Sequence, residues 1–372
     1  MKFAENKRIL LISVFCIGLS VLTLTGVFRI AGSTNIVGLC VGMLLPCENK
    51  GESSQLISIA TKNGIAELLS QKKDENNSEN AVKINSLAFV PDDIGLLMKE
   101  AEKTFQDSEK GGVIVDQTYG KESATQSEGN ILVKNTTGRS LDISEVLKEK
   151  PALTKAEENE VSVLIFHTHT TESYQTLDRG EYLKSFSPRN NDDSQNMIRV
   201  GEEIASQLKE QGIGVIHDTE IYDTKYSGAY ERSGEAVDRY LEKYPSIQVV
   251  IDVHRDAIQT SETTKIKPVT TINGKKAAQI MTITGCEGGD VTGFPNWEYN
   301  LNFALNLQKT AEEMYPTLMR PLFFCNRKYN MYKSKCSVLL EMGSDGNTLD
   351  EAAYSGRLIG DVLGVMLNKY LK

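Results

Sequence analysis

The chain of 372 residues has four histidines, and three of them stand where an apolar run ends. His167 and His169 close the stretch "LIFHTHTTESY", Leu164 to Tyr174, with Glu172 next. His254 closes "VVIDVH", with Asp252 before it and Arg255 and Asp256 after it. Glu341 follows Val338–Leu340 in "VLLEMGSDGN". Imidazole and carboxylate donors without a thiolate suit Zn2+ in a hydrolytic site. Such a site keeps one position open for water and lowers the pKa of that water. A carboxylate beside it then serves as general base and later as acid. A lone His at a strand end is usually structural. Histidines and glutamates at three strand ends converge if the strands are neighbours. The fourth histidine, His217, opens "HDTE" and reads as a loop or pocket-lining residue.

The elements that would position these residues alternate. A short strand and turn are expected at "ILVKNTTG", from Ile131. Strand Val161–His169 is followed, after a loop, by a helix over Ser194–Gln211 with Met197, Val200, Ile204 and Leu208 on one face. Gly212 ends it, and strand Ile213–His217 follows. A helix over Ala229–Tyr244 precedes Ile247–His254, whose near-continuous apolar run marks a central, doubly covered strand. Residues 265–284 read as a β-hairpin turning at "NGKK". A helix at Trp297–Tyr315, strands at Pro321–Cys325 and Ser337–Glu341, and a last helix complete the pattern. Thr348 caps that helix, with Glu351 at the capping-box position. The alternation predicts an α/β fold, a mostly parallel sheet with helices on both faces. Sites in such sheets form beyond the carboxyl ends of the strands.

Lys7 and Arg8 precede an uncharged run from Ile9 to Phe28, closed by Arg29. About 20 apolar residues match one bilayer crossing. Basic residues in front favour a cytoplasmic N-terminus and an exported remainder. The expected division is 1–30 as tip and transmembrane anchor, 31–125 as membrane-proximal segment and linker, and 126–372 as the catalytic domain. Within the linker, Ile36–Leu45 is apolar but too short to span, and Gln55–Leu69 and Pro91–Asp107 carry weak helix signals. The net charge of −9 argues against a nucleic-acid binder, which needs a basic face. None of the six cysteines forms a CxxC pair, which disfavours a zinc ribbon. Cys325 and Cys336 read as two buried free thiols, although a disulfide is permitted outside the cytoplasm.

"HTHTTESY", "VVIDVHRDA" and "LLEMGSDGNT", behind an N-terminal anchor, resemble the stage II sporulation protein P family over about Ile131 to Lys372. That family looks like a divergent branch of the zinc-dependent N-acetylmuramoyl-L-alanine amidases. The resemblance implies His169 and His254 as metal ligands and Glu341 as the catalytic carboxylate. The amidase pattern has a Glu ligand at its first helix, where this chain has Asn196. The second ligand therefore stays open among Glu172, His167 and Asn196, with Glu172 preferred. His167 otherwise orients His169 or the water from behind. Arg255 is expected to hold a substrate carboxylate or oxyanion, and "YSGAYERS", Tyr226–Ser233, to line the groove, Arg232 included.

The resemblance further implies peptidoglycan as substrate and cleavage of the amide between muramic acid and the stem peptide, with endopeptidase action on cross-links as a second activity. It implies work at the engulfing membrane with a lytic transglycosylase and a multi-pass membrane protein. The catalytic domain would lie outside the cytoplasm, on the mother-cell side, facing septal peptidoglycan. Two rival readings are a non-catalytic membrane-tethered scaffold and a different metallohydrolase, such as a deacetylase or phosphatase.

Overall fold

The structure, a computed structural model, describes residues 86–157 and 160–372. The run Ile9–Phe28, the patch Ile36–Leu45 and the helix signal at Gln55–Leu69 lie outside the described residues. Among the described residues no helix is long and apolar enough to cross a membrane.

Helix α1 (Asp92–Phe105) and strand β1 (Lys110–Gln117) come first, followed by β2 (Gln126–Glu128), β3 (Ile131–Asn135) and the single turn α2 (Ile143–Val146). Next come β4 (Val161–Phe166), β5 (Glu181–Leu183), α3 (Met197–Glu210), β6 (Gly214–His217), α4 (Ala229–Lys243) and β7 (Val249–Asp256). The chain continues through β8 (Gln259–Ser261), β9 (Thr264–Ile272), β10 (Lys275–Ala278) and β11 (Ile280–Gly285). It finishes with α5 (Trp297–Met314), β12 (Leu322–Cys325), β13 (Cys336–Ser344) and α6 (Leu349–Leu371).

An eight-stranded sheet runs in the order β2-β3-β12-β11-β13-β7-β4-β6. Strands β13, β7, β4 and β6 are parallel neighbours. Strand β7 is buried from Val249 through Arg255, as expected of a central strand. The expectation of a mostly parallel sheet needs correction, because the sheets are mixed. Strand β11 runs antiparallel to β13, and β2 antiparallel to β3. The hairpin explains the first reversal. Asn273 and Gly274 both take positive φ, 50° and 77°, and turn β9 back into β10. The chain then passes Gln279 into β11 without a crossover helix, so β11 enters the large sheet reversed.

A second sheet, in the order β10-β9-β1-β5, lies on the same folded body. Its β1 and helix α1 come from the segment read as linker. Strand β1 pairs in parallel with β9, so ordered structure begins well before residue 126. Gly112 makes that pairing possible, since a Cβ there would stand 2.1 Å from the Thr263 carbonyl oxygen.

Helix α3 forms because its apolar positions recur at helical spacing, and Met197, Val200, Ile204 and Leu208 are fully buried. Burying each such aliphatic side chain contributes about 1.5–3 kcal/mol. Asn196 caps the helix, its side chain accepting from Ile198 N, and Gly212, at φ 76°, follows its end. Helix α6 packs against α3 and α5, and its start carries the expected capping box of Thr348 and Glu351. Helix α4 covers the other face of the sheet through Val237 on Leu164, Phe166 and Val250.

Candidate active site

Strand β4 ends at Phe166, so the "HTH" residues follow the strand rather than lie within it. His167 turns inward and is fully buried. Its Nδ1 lies 2.9 Å from the Val253 carbonyl oxygen, which can only accept, so Nδ1 carries the proton. Its Nε2 then accepts from His217 Nε2 at 2.8 Å. His217 Nδ1 stands 3.2 Å from the Glu202 carboxylate, a hydrogen bond that would need a charged ring. Burial resists that charge, holding His217 at about 4 and His167 at about 3. The link to His167 therefore outranks the contact with Glu202.

His169 stands apart from this pair. Its ring stacks on Tyr226 at 4.8 Å and meets the rings of Tyr230 and His254 edge-on at 5.5 Å and 5.3 Å. Its Nδ1 is buried without a hydrogen-bond partner, and the nearest carboxylate oxygen, Asp223 Oδ2, is 3.9 Å away. Burial, with the charges of His254 and Arg189, holds its pKa down at about 4. Glu172 N donates to the His169 carbonyl in a tight turn. That turn brings the Glu172 Oε2 to Arg255 N at 3.2 Å and to within 3.6 Å of His254 Nδ1. Burial pushes the Glu172 carboxyl up, against the pull of Arg255 and His254.

Asp252 and His254 lie two residues apart on β7 and so on one face. Asp252 Oδ1 is 2.8 Å from His254 Nε2 and also receives Thr168 N, while Oδ2 receives Thr168 Oγ1 at 2.7 Å. Burial acts to lower the His254 pKa, but the Asp252 carboxylate, with Glu172 and Glu341, holds it up at about 9. Glu341 on β13 is the register partner of His254 on the parallel strand β7. Its Oε2 is buried without a hydrogen-bond partner, and burial pushes its carboxyl up to about 8. A pocket of about 380 Å3 opens beside it.

Three sequence-predicted residues bond to the backbone of the fold itself. Arg255 alternates to the opposite side of β7 from His254, and its guanidinium donates to the carbonyls of Ser173, Asp256 and Pro188. It clamps the loop bearing Glu172. Asn196 is the helix cap described above, and its Nδ2 donates to the Asn190 carbonyl, so both ends of its amide are engaged. Arg232 likewise holds the loop before α4, through the carbonyls of Tyr222, Lys225 and Ser227.

Other residues were not legible as site residues. Asp223 binds Thr171 N and Oγ1 and pairs with Arg189, whose guanidinium lies 5.3 Å over the Tyr226 ring. Nothing in "IYDTKY" marks Asp223 for that role. Tyr226 and Tyr230 fall in the flagged "YSGAYERS" stretch, but only the fold turns both rings onto His169.

Among the described residues no three His, Cys, Asp or Glu side chains form a ready-made metal cage. The donor chemistry nevertheless fits a zinc-type ion. The set is imidazole and carboxylate, the buried Nδ1 of His169 has no hydrogen-bond partner, the His169 and His254 rings lie 5.3 Å apart, and His254 and Glu172 are within 3.6 Å of each other.

The model of the family "Stage II sporulation protein P (SpoIIP)" matches residues 54–364. Stage II sporulation protein P of Bacillus subtilis (strain 168) is 30% identical over 216 residues, which cover 55% of this chain and 50% of that protein. The chain thus spans about half the length of the curated relative it matches. Similar solved structures include an N-acetylmuramoyl-L-alanine amidase of Nostoc punctiforme, at 13% identity and TM-score 0.35, covering 57% of this chain and 97% of that one. Another is the catalytic domain of an N-acetylmuramoyl-L-alanine amidase from Bacillus (Paenibacillus) polymyxa var. colistinus, at 14% identity and TM-score 0.32, covering 57% of this chain and 99% of that one.

Proposed function

The chain belongs to the stage II sporulation protein P family, and on that premise we propose that it is a peptidoglycan hydrolase of sporulation that cleaves the N-acetylmuramoyl-L-alanine amide. The observation that carries the reading is Glu341. A buried carboxyl with an unpartnered oxygen and a pKa pushed up to about 8 by burial, beside a histidine and an open pocket, can hold and release a proton near neutral pH, as the proton-transfer group of such a reaction must. His169, Glu172 and His254 would hold Zn2+, which when bound supplies a Lewis acid and lowers the pKa of water.

Glu341 Oε2 takes a proton from the attacking water and returns it to the leaving amine nitrogen. The Asp252 carboxylate, itself anchored by both polar groups of Thr168, lies 2.8 Å from His254 Nε2 and offsets the charge of that ring. Arg255 holds Glu172 in place through its backbone N–H, and Tyr226 shields one face of His169. His167 supports the site from behind through the Val253 carbonyl, next to His254.

The same reading makes the run Ile9–Phe28 a single membrane anchor, with the folded body outside the cytoplasm facing septal peptidoglycan. A lytic transglycosylase and a multi-pass membrane protein would be its partners in engulfment, and peptide cross-links a second substrate. Protease added to protoplasts should remove the folded body, and protection would reverse that orientation. Mass spectrometry of purified peptidoglycan after incubation with the full-length chain tests the reaction. Release of intact stem peptides with a free L-Ala amine is expected. Fragments cut only in the glycan, or no fragments at all, would rule the reaction out.

A further inference from the structure

Helices cover the two faces of the large sheet unequally. Helices α5 and α6 pack on one face, where Phe324 is buried, whereas α4 covers the other face only over β4 and β7. The remainder of that second face forms the pocket beside Glu341, with Lys134, Arg320, Phe323, Tyr119 and Tyr329 around it.

The register lays out its floor. Lys134 on β3 pairs with Phe323 on β12, Phe323 with Ile283 on β11, and Ile283 with Leu339 on β13. Glu341 lies two residues beyond Leu339 on the same face. Three strand spacings of about 4.8 Å and two rises of about 3.3 Å separate Lys134 from Glu341 by roughly 16 Å. An extended peptide advances about 3.3–3.6 Å per residue, so four or five residues bridge that distance.

The charges differ along this path. At the Glu341 end, Asp256 is already paired with Arg320 Nη1 at 2.9 Å, and the Arg320 guanidinium lies 4.8 Å over the Tyr119 ring. At the far end Lys134 is exposed and has no ion-pair partner among the described residues, its Nζ lying 5.9 Å over the Phe323 ring. An apolar floor with an unneutralised cation at its end suits a short peptide with a carboxylate at its far end.

We propose that this pocket is a subsite for the peptide arm of the substrate, which runs extended from Glu341 across Phe323 and places a free carboxylate at Lys134. The subsite rests on the hydrolase reading for what lies at Glu341, but its own test requires no bond cleavage. Lys134 acts here as a specificity residue and takes no part in the chemistry.

The test measures binding of the full-length chain to fluorescent, N-acetylated pentapeptides that differ only in a free or an amidated C-terminal carboxyl. About tenfold tighter binding of the free acid is expected, weakening as salt rises. Lys134→Gln should abolish the preference and Lys134→Arg should keep it. A dipeptide pair should show no preference, because it cannot reach Lys134. Equal affinity for the two pentapeptides, no binding of either, or a preference that survives Lys134→Gln would overturn the subsite, and so would a preference equally strong in the dipeptides. The two readings fail separately. A chain that prefers the free acid but leaves peptidoglycan intact loses the hydrolase reading, whereas one that cleaves peptidoglycan without the preference loses the subsite.

Discussion

His167 and His217 meet Nε2 to Nε2 at 2.8 Å over the backbone of Gly201, which leaves no room for a side chain. A Cβ on Gly201 would stand 2.5 Å from His217 Nε2 and 2.6 Å from His167 Nε2. Gly to Ala inside a helix normally stabilises by up to about 1 kcal/mol. Overpacking a filled interior costs about 1–3 kcal/mol, and here neither ring can move without losing its buried partner. Gly201→Ala should therefore lower the melting temperature, by about 2–4 °C per kcal/mol for a domain of this size class. An unchanged or higher melting temperature would show that the pair does not hold α3 to the strands.

The proposed metal ligands lie in a loop and near a strand end, apart from the aliphatic core. His169→Ala or His254→Ala should thus abolish zinc binding while leaving the far-ultraviolet circular dichroism unchanged. A ligand at about 100 times its Kd stabilises a protein by about 2.7 kcal/mol. Zinc added to the metal-free chain should raise the melting temperature accordingly, and should fail to do so in either variant. Retained zinc in both variants would sink the ligand assignment.

Cys286, Cys325 and Cys336 are free and buried. Burial pushes the Cys325 and Cys336 thiols up to about 12. At pH 8 only about one such thiol in ten thousand is a thiolate, the form that reacts. Native chain should leave all three unlabelled by a thiol reagent, and denaturant should expose them together. Peptide mapping reads this directly, and native labelling of Cys325 would contradict the burial.

The fold was legible where periodicity and punctuation agreed. Strand β7, helix α3 and the Thr348 capping box were readable because burial on two faces, an apolar stripe and a local hydrogen-bond motif each leave a pattern within a few residues. Strand β1 was not, because "KGGVIVDQ" is short and sits among polar residues, and its partner β9 lies some 150 residues away. The convergence of His169, His254 and Glu341 followed from their positions at strand ends. Their partners did not. Whether Arg255 faces a pocket or a loop depends on which side of β7 is open, and Asp223 meets Thr171 only through the return of a long loop.

Glu341 gives the sharpest discrimination, because a base and a ligand fail differently. If Glu341 is the base, Glu341→Gln keeps shape and zinc but cannot take the proton, so turnover on purified peptidoglycan should fall about 10²–10⁴-fold. If it is a ligand instead, bound zinc falls too, and Glu172→Gln becomes the informative partner variant. Stability gives an independent reading on metal-free chain. Burial raises the folded pKa of Glu341 from the usual 4.5 to about 8, so folding favours the protonated form. Its contribution is fully present below pH 4.5 and is lost as pH rises through about 8. Metal-free wild type should therefore lose stability to denaturant between pH 6 and pH 9 more steeply than metal-free Glu341→Gln, which has no proton to release. Parallel pH profiles would mean that Glu341 titrates normally and is not the poised base. Undiminished turnover in Glu341→Gln would remove it from the chemistry altogether.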